Sequence, residues 1–280
     1  MSSKGTEKIK KNSASKAVAI RIFKNPMAIV GILLVIILCF AAVFAPILTQ
    51  YSPTKVTVSD AFLTPSLKHF AGTDDLGRDI FSRIIYGCRV SLSVGIISQI
   101  IATVIGYTMG VCAGYYGGKV DSVISFLIQV FSSFPFLLFA MAIMFVLGPR
   151  LINVYLALGL LGWASTARLI RGDVMRLKKM EYIDACKVSG GNSFRIIMKH
   201  LLPNCLSTLI VTVTLGIPNA IMSEASLSFL GLGVKAPMAS WGSMISFSQP
   251  YIRSATYYSV IPGLAIIITV LAFNMLGDGL

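Results

Sequence analysis

The sequence predicts an all-α polytopic membrane protein with six transmembrane helices, on three observations. The 280 residues are 55% hydrophobic and only 12% charged, against about 25% charged in an ordinary soluble domain. The apolar residues fall in six long runs, 27–48, 90–113, 122–147, 151–167, 206–230 and 257–276, each near the ~20 residues that a helix needs to cross a bilayer. The basic residues cluster in the 1–25 tail and the 171–207 segment, which an even number of crossings places on one side, as the positive-inside rule requires of cytoplasmic segments.

The elements follow in order. Residues 1–25 form a basic tail with Lys4, Lys8, Lys10, Lys11, Lys16, Arg21 and Lys24. Pro26 suits the first turn of a helix, where its missing N–H breaks no bond. Residues 26–48 form the first transmembrane helix, and the apolar run exceeds the ~7–15 residues of a cleaved signal peptide's core. Residues 49–87 form an external segment, and the amphipathic stretch DIFSRIIYGCRVSL (79–92) is expected to lie along the membrane surface. Residues 88–280 hold five further spans. Gly106, Gly110 and Gly114 make two overlapping GxxxG steps, a spacing that lets helix backbones approach closely. Pro135 and Pro218 interrupt spans three and five, which membrane helices tolerate where a neighbour or a cavity satisfies the freed carbonyl.

Several function classes are excluded. The net charge of +13 reflects membrane topology rather than nucleic-acid binding, because net charge is segregated by side: the loop after span one holds Lys55, Lys68, Arg78, Arg83 and Arg89, but Asp60, Asp74, Asp75 and Asp79 nearly balance them. Cys39, Cys88, Cys112, Cys186 and Cys205 include no CxxC pair, so neither a disulfide framework nor a zinc site is suggested. Gly117-Gly118-Lys119 resembles the end of a phosphate loop, but Ala113 and Val120 stand where that motif needs Gly and Ser or Thr. No nucleotide cofactor is expected on this chain. His69 and His200 fall on opposite sides and assemble no nucleophile–base pair. Asp74, Asp75 and Asp79 beside Arg78 read as a loop ion-pair set rather than a metal site. Arg168 and Arg171 read as interface anchors at the end of span four. Glu224 is the one acid inside an apolar run, about 27 Å along its helix at ~1.5 Å per residue. Two readings stay open for it: a structural partner for the loop LSFLGLG (227–233), or a group lining the outer mouth of a pathway.

The stretch EYIDACKVSGGNSFRIIMKHLLPN (181–204) breaks the apolar pattern. Tyr182, Ala185, Cys186 and Ser189 fall on one helix face, and three of the four are small, so another surface can come close. Gly190 and Gly191 stop that helix. Ser193 is placed to cap a second short helix, 194–201, which Pro203 ends. The result is a helix–Gly–helix hairpin between spans four and five.

This stretch resembles the EAA loop of permease subunits of ABC importers, with Asp184-Ala185-Cys186, Gly190, His200, Leu202 and Pro203 at the family's spacings. Asp184 replaces the usual Glu and Cys186 the usual Ala. His200 in HLLPN is similar to the peptide-importer branch. GTDDLGRDIFSRIIYGCRVSL (72–92), GWASTARLIRGDVMRL (162–177), EASLSFLGLGVKAPMASWG (224–242) and PGLAIIITVLAFNMLGDGL (262–280) also resemble the dipeptide, oligopeptide and nickel permease group. A departure lies at the end, where the family pattern continues past GDGL into a polar stretch. The resemblance implies a type I ABC importer permease fold and a chain with no catalysis of its own. The implied partners are a sister permease, two ATPases that bind ATP and Mg, and an extracytoplasmic substrate-binding protein, all at a bacterial plasma membrane with both termini cytoplasmic. It implies that Glu181, Tyr182, Asp184, Ala185, Cys186, Ser189, Gly190, His200 and Pro203 form the ATPase-coupling loop, and that the 74–79 ion-pair set docks the binding protein or the sister chain. Small peptides are the first expectation for substrate, with nickel or glutathione as alternatives. A self-contained secondary transporter would want charged relay residues at depth. An intramembrane enzyme would want a catalytic constellation there, and neither pattern is evident.

Overall fold

The computed structural model describes residues 25–279, so most of the expected basic tail (1–24) and Leu280 lie outside the described residues. Nine helices organise the described chain: α1 (Pro26–Val43), α2 (Ile80–Tyr116), α3 (Gly118–Ser133), α4 (Phe136–Leu147), α5 (Leu151–Leu177), α6 (Glu181–Val188), α7 (Ser193–Phe229), α8 (Trp241–Ser248) and α9 (Thr256–Asp278). One further turn, Ala45–Leu48, follows α1.

α1, α2, α7 and α9 are long and apolar enough to cross a membrane, and α3 with α4 makes a fifth crossing if the bent pair counts as one span. The remaining expected span, the fourth, is α5; it is long enough at 27 residues but is not among the helices apolar enough to cross a membrane. It packs against α2 along one face, while Ile152, Leu160 and Leu169 stay exposed on the other.

Local sequence explains the ends and breaks. Asn25 caps α1 by accepting from the Met27 N–H (3.0 Å), with Pro26 in the first turn. The other end is closed by Arg89, whose guanidinium donates to the Ala42 and Val43 carbonyls, groups with no partner inside their own helix. At Pro135 the axis turns by 88°. The proline forces Phe134 into extended backbone and so cannot continue the helix through it. Pro218, by contrast, leaves α7 continuous.

Two expectations need correction. The 79–92 stretch does not form a separate surface helix. It is the first part of α2, a single helix of 37 residues, about 55 Å long at ~1.5 Å per residue. Residue 88 therefore marks no break in the backbone. The reason lies far away in sequence: the Trp241 indole N–H donates to the Ile84 carbonyl (3.0 Å), and Ser91 Oγ accepts from the Trp241 N–H (3.2 Å). The apolar face of 80–92 is buried under α8 instead of facing lipid. Likewise Pro203 does not end the second helix of the hairpin. A π turn, Ile197–Leu201, carries the helix into the long apolar part of α7, with Pro203 in its first turn.

α2 and α5 are held together by glycines. A side-chain carbon at Gly106, Gly110 or Gly114 would stand 2.7, 2.7 or 2.9 Å from the carbonyl oxygens of Trp163, Ala167 and Arg171. The expected GxxxG face is therefore a backbone-to-backbone crossing. α1 meets α9 in the same way through Ala28 and Gly31, and a side chain at Gly31 would stand 2.7 Å from the Leu276 nitrogen. Val35, Leu38 and Ala42 also pack inward, toward Cys88 and Leu92 of α2, while Leu33, Ile36 and Phe40 point outward.

Residues 49–79 fold over the start of α2. Asp74 is the hub, fully buried. It accepts from the Leu76 and Arg78 N–H groups (3.0 and 2.9 Å) and from Arg78 Nε (2.6 Å), with Arg83 Nε 3.5 Å away. Asp79 caps α2 by accepting from the Ser82 N–H (2.7 Å) and pairs with His69 Nδ1 (2.9 Å). Tyr258 on α9 donates to Asp75 (3.2 Å). Most of the 74–79 set is thus turned inward and ties this corner together. The expected docking surface for another protein is not built from Asp74 or Asp79.

Candidate functional site

Two places are candidates for function: the 181–203 hairpin and a cavity along α7.

The hairpin's first limb, α6, has Glu181 and Asp184 in its first turn and Lys187 in its last, each on the side of the helix dipole that favours its charge. Lys187 Nζ also reaches Asp184 (2.7 Å). The turn is a Schellman motif: the Gly190 N–H donates to the Lys187 carbonyl (3.0 Å) and the Gly191 N–H to the Cys186 carbonyl (2.9 Å). Gly190 sits at φ +77°, the left-handed region that costs other L-residues about 1–2 kcal/mol. Gly191 packs on Cys186, and a side-chain carbon there would be 2.7 Å from Sγ. The second limb is capped by Asn192, which accepts from the Arg195 N–H (2.8 Å), rather than by the expected Ser193. Asn is as good a cap as Ser, and it comes one residue earlier.

One side of the hairpin is rooted and the other is bare. Ile183, Ile196 and Leu201 are buried in one cluster with Val111 and Tyr115 of α2, Ile170 and Val174 of α5, and Leu209 of α7. Tyr182, Ala185 and Ser189 of the expected face are exposed, as are Glu181, Asp184, Gly190 and Pro203. Cys186 is turned inward, half-buried, with Sγ 3.7 Å from His200 Nε2. The Tyr182 ring lies 6.1 Å from that imidazole, centroid to centroid. Val188 is 90% and Phe194 72% exposed at the tip. Both are apolar groups left uncovered on a rooted knob with polar flanks.

Sequence reasoning did not single out Ile183, Val188, Asn192 or Phe194. Ile183 was recoverable: it is the one large aliphatic side chain between the charged residues of α6, so it had to be the root. The other three are settled by the turn geometry and by what lies opposite.

The cavity, about 640 Å³, opens between α2, α4, α5 and α7. Gln99 of α2 crosses to α7, where its amide donates to the Thr212 carbonyl (3.5 Å), and also to Thr103 Oγ1 (3.2 Å). Gly216 makes room for it, since any side chain there would collide with the Gln99 carboxamide. Thr212, Asn219 and Ser223 continue the wall along α7. Glu224 follows Ser223 in sequence but does not line the cavity. It is fully buried, and its Oε1 accepts from Ser228 Oγ (2.6 Å) and Ser240 Oγ (2.7 Å). Its contacts with the 227–240 stretch go through side-chain hydroxyls rather than through the loop backbone. Arg171 forks Asp121 on α3 (2.5 and 2.7 Å), and Arg168 reaches Ser132 (3.0 Å), so both arginines fasten α5 to α3. Among the described residues, no cluster of three or more His, Cys, Asp or Glu is grouped to hold a metal.

Known proteins agree with this architecture. Residues 103–280 match the family described as binding-protein-dependent transport system inner membrane component. Residues 13–65 match the N-terminal transmembrane domain of oligopeptide transport permease C. The dipeptide transport system permease protein DppC of Alkalihalophilus pseudofirmus is 44% identical, over 92% of this chain and 84% of its own length. The oligopeptide transport system permease protein OppC of Bacillus subtilis is 38% identical over 98% of this chain and 90% of its own length. Among solved structures, the inward-facing MetNI methionine ABC transporter aligns with a TM-score of 0.59 at 19% identity, covering 71% of this chain and 94% of that one, a likeness of fold. The membrane-crossing helices, the rooted hairpin and these matches converge on one assignment: the chain belongs to the family of ABC importer permeases known as binding-protein-dependent transport system inner membrane components.

Proposed function

We propose that this chain is one of two permease subunits of an ATP-driven importer of small peptides, and that it couples the pathway to cytoplasmic ATPases through the 181–203 hairpin. The observation that carries this reading is the hairpin itself: a bare face (Tyr182, Ala185, Ser189) with apolar Val188 and Phe194 at the tip, on a root shared with α2, α5 and α7. A knob so rooted transmits force in both directions. ATP and Mg belong on the partner ATPases. The cavity along α7 is this chain's half of the passage, closed by a sister permease and fed by an extracytoplasmic binding protein. The chain lies in a bacterial plasma membrane with the hairpin and both termini in the cytoplasm, as the basic 1–25 and 171–207 segments require.

Peptide is favoured by the dipeptide and oligopeptide permeases among the relatives. A second reading, a glutathione permease, is supported by the GsiD protein of Pectobacterium atrosepticum at 39% identity over 93% of this chain. Nickel remains the third alternative, and a secondary transporter the fourth. The test is to tag the chain, extract it in mild detergent and identify what co-purifies. A second permease with two ATPase chains, lost on Gly190→Pro, is expected. A lone chain without ATPase refutes the reading.

A further inference from the structure

The cavity wall has an unusual chemistry for a chain with 24 basic and 11 acidic residues. Among the described residues that line it, not one side chain is ionisable. Nearby charges are held elsewhere: Arg168 on Ser132, Arg171 on Asp121, and Glu224 on Ser228 and Ser240. What faces the cavity is a set of neutral hydrogen-bonding groups, Gln99, Ser165, Thr212, Asn219 and Ser223, between aliphatic and aromatic side chains.

Gln99 is the fixed member. Its amide hydrogens go to Thr103 and Thr212, which leaves the carboxamide oxygen as the acceptor offered to a ligand. Gly216 gives it its seat. Asn219, one turn further along α7, adds a second carboxamide. Two carboxamides suit a peptide group, which brings one N–H donor and one carbonyl acceptor and would otherwise cross the membrane unsatisfied. A charge in the same wall would act differently. In a low-dielectric passage it repels like charges and holds opposite ones strongly, whereas passage requires contacts weak enough to release.

We propose that this wall reads the peptide backbone and is blind to side-chain charge, with Gln99 and Asn219 hydrogen-bonding the amide groups of the passing substrate. The inference rests on the peptide-permease reading above. Its test uses the complete transporter in proteoliposomes, with its own binding protein and ATPases. Uptake of Ala-Ala-Ala, Ala-Lys-Ala and Ala-Glu-Ala is measured for the wild type, Gln99→Glu and Asn219→Asp. The binding protein is the same throughout, so its selectivity cancels when each variant's ratios are divided by the wild type's. Each new carboxylate is expected to lower Ala-Glu-Ala uptake relative to Ala-Ala-Ala by roughly tenfold, a 1.4 kcal/mol effect, and to shift Ala-Lys-Ala the opposite way or trap it. If Gln99→Glu fails to assemble, Asn219→Asp decides. Unchanged ratios in a variant that still takes up Ala-Ala-Ala overturn the inference and leave the peptide reading standing. A wild type that takes up none of the three peptides overturns both.

Discussion

Gly190 offers the sharpest test of the hairpin's role. Its φ of +77° is open to glycine and costs alanine about 1–2 kcal/mol. No atom lies within 4 Å of where a side-chain carbon would stand, so the cost is confined to the backbone and no packing is disturbed. If the ATPase binds the hairpin in this conformation and the free alanine variant relaxes out of it, Gly190→Ala lowers the affinity by up to the same free energy, at most roughly 30-fold. Proline goes further. Its φ is fixed near −65°, so it cannot adopt the turn at all, and it deletes the N–H that donates to the Lys187 carbonyl. Gly190→Pro is expected to abolish stimulation of ATP hydrolysis by loaded binding protein, and uptake with it. The thermal midpoint of the detergent-extracted chain is expected to stay put, because Gly190 lies outside every membrane-crossing helix. The assay is ATPase co-purification and ligand-stimulated hydrolysis in the wild type, Gly190→Ala and Gly190→Pro. A Gly190→Pro transporter with wild-type uptake refutes the reasoning outright. A graded effect of Gly190→Ala fits a backbone cause if Gly190→Asn, which tolerates the left-handed region better while carrying a larger side chain, is milder than alanine.

Three further outcomes are expected. Ile183→Ala empties the hairpin's fully buried root and costs about 2–5 kcal/mol locally; faster amide exchange across 181–190 and weaker ATPase retention check it. Gly110→Leu forces a side chain into a crossing where even a first carbon meets the Ala167 carbonyl at 2.7 Å; the overpacking cost of about 1–3 kcal/mol or more is expected to lower the yield of monodisperse protein, while Gly172→Ala, at an open position, leaves it unchanged. Glu224→Gln keeps an acceptor for the Ser228 and Ser240 hydroxyls, whereas Glu224→Ala orphans both at about 1–3 kcal/mol each. Melting curves are expected to fall clearly for Ala and little for Gln, and equal melting points would dismiss the serine pair as incidental.

The apolar helices were legible in the sequence because lipid permits few spanning structures, so a long uncharged run has almost one meaning. The α2–α5 crossing was legible for a similar reason: three glycines at a spacing of four leave a groove that only a close backbone fills. Where the chain's own long-range contacts decide, the sequence was silent. The amphipathic pattern of 79–92 fits a surface helix and a helix buried under Trp241 equally well. Glu224 was conspicuous, and Ser228 lay in the loop named for it, but nothing linked it to Ser240, sixteen residues away. The hairpin was found from its small residues and glycines, while its root at Ile183 was passed over. Gln99 drew no attention, because a polar residue within an apolar run can face a neighbour, a cavity or another subunit, and only the gap at Gly216 settles which.

The unbroken course of α7 bears on leverage. From Leu201 at the root of the hairpin to Ser226 at the far end of the cavity wall is about 37 Å at ~1.5 Å per residue, and the helix runs through Pro218 without a break. A beam of that length, tilted by about 5° at its foot, carries its far end through roughly 3 Å, about the width of one water molecule. The π turn Ile197–Leu201 sits at the foot of that beam, between the hairpin and the cavity wall.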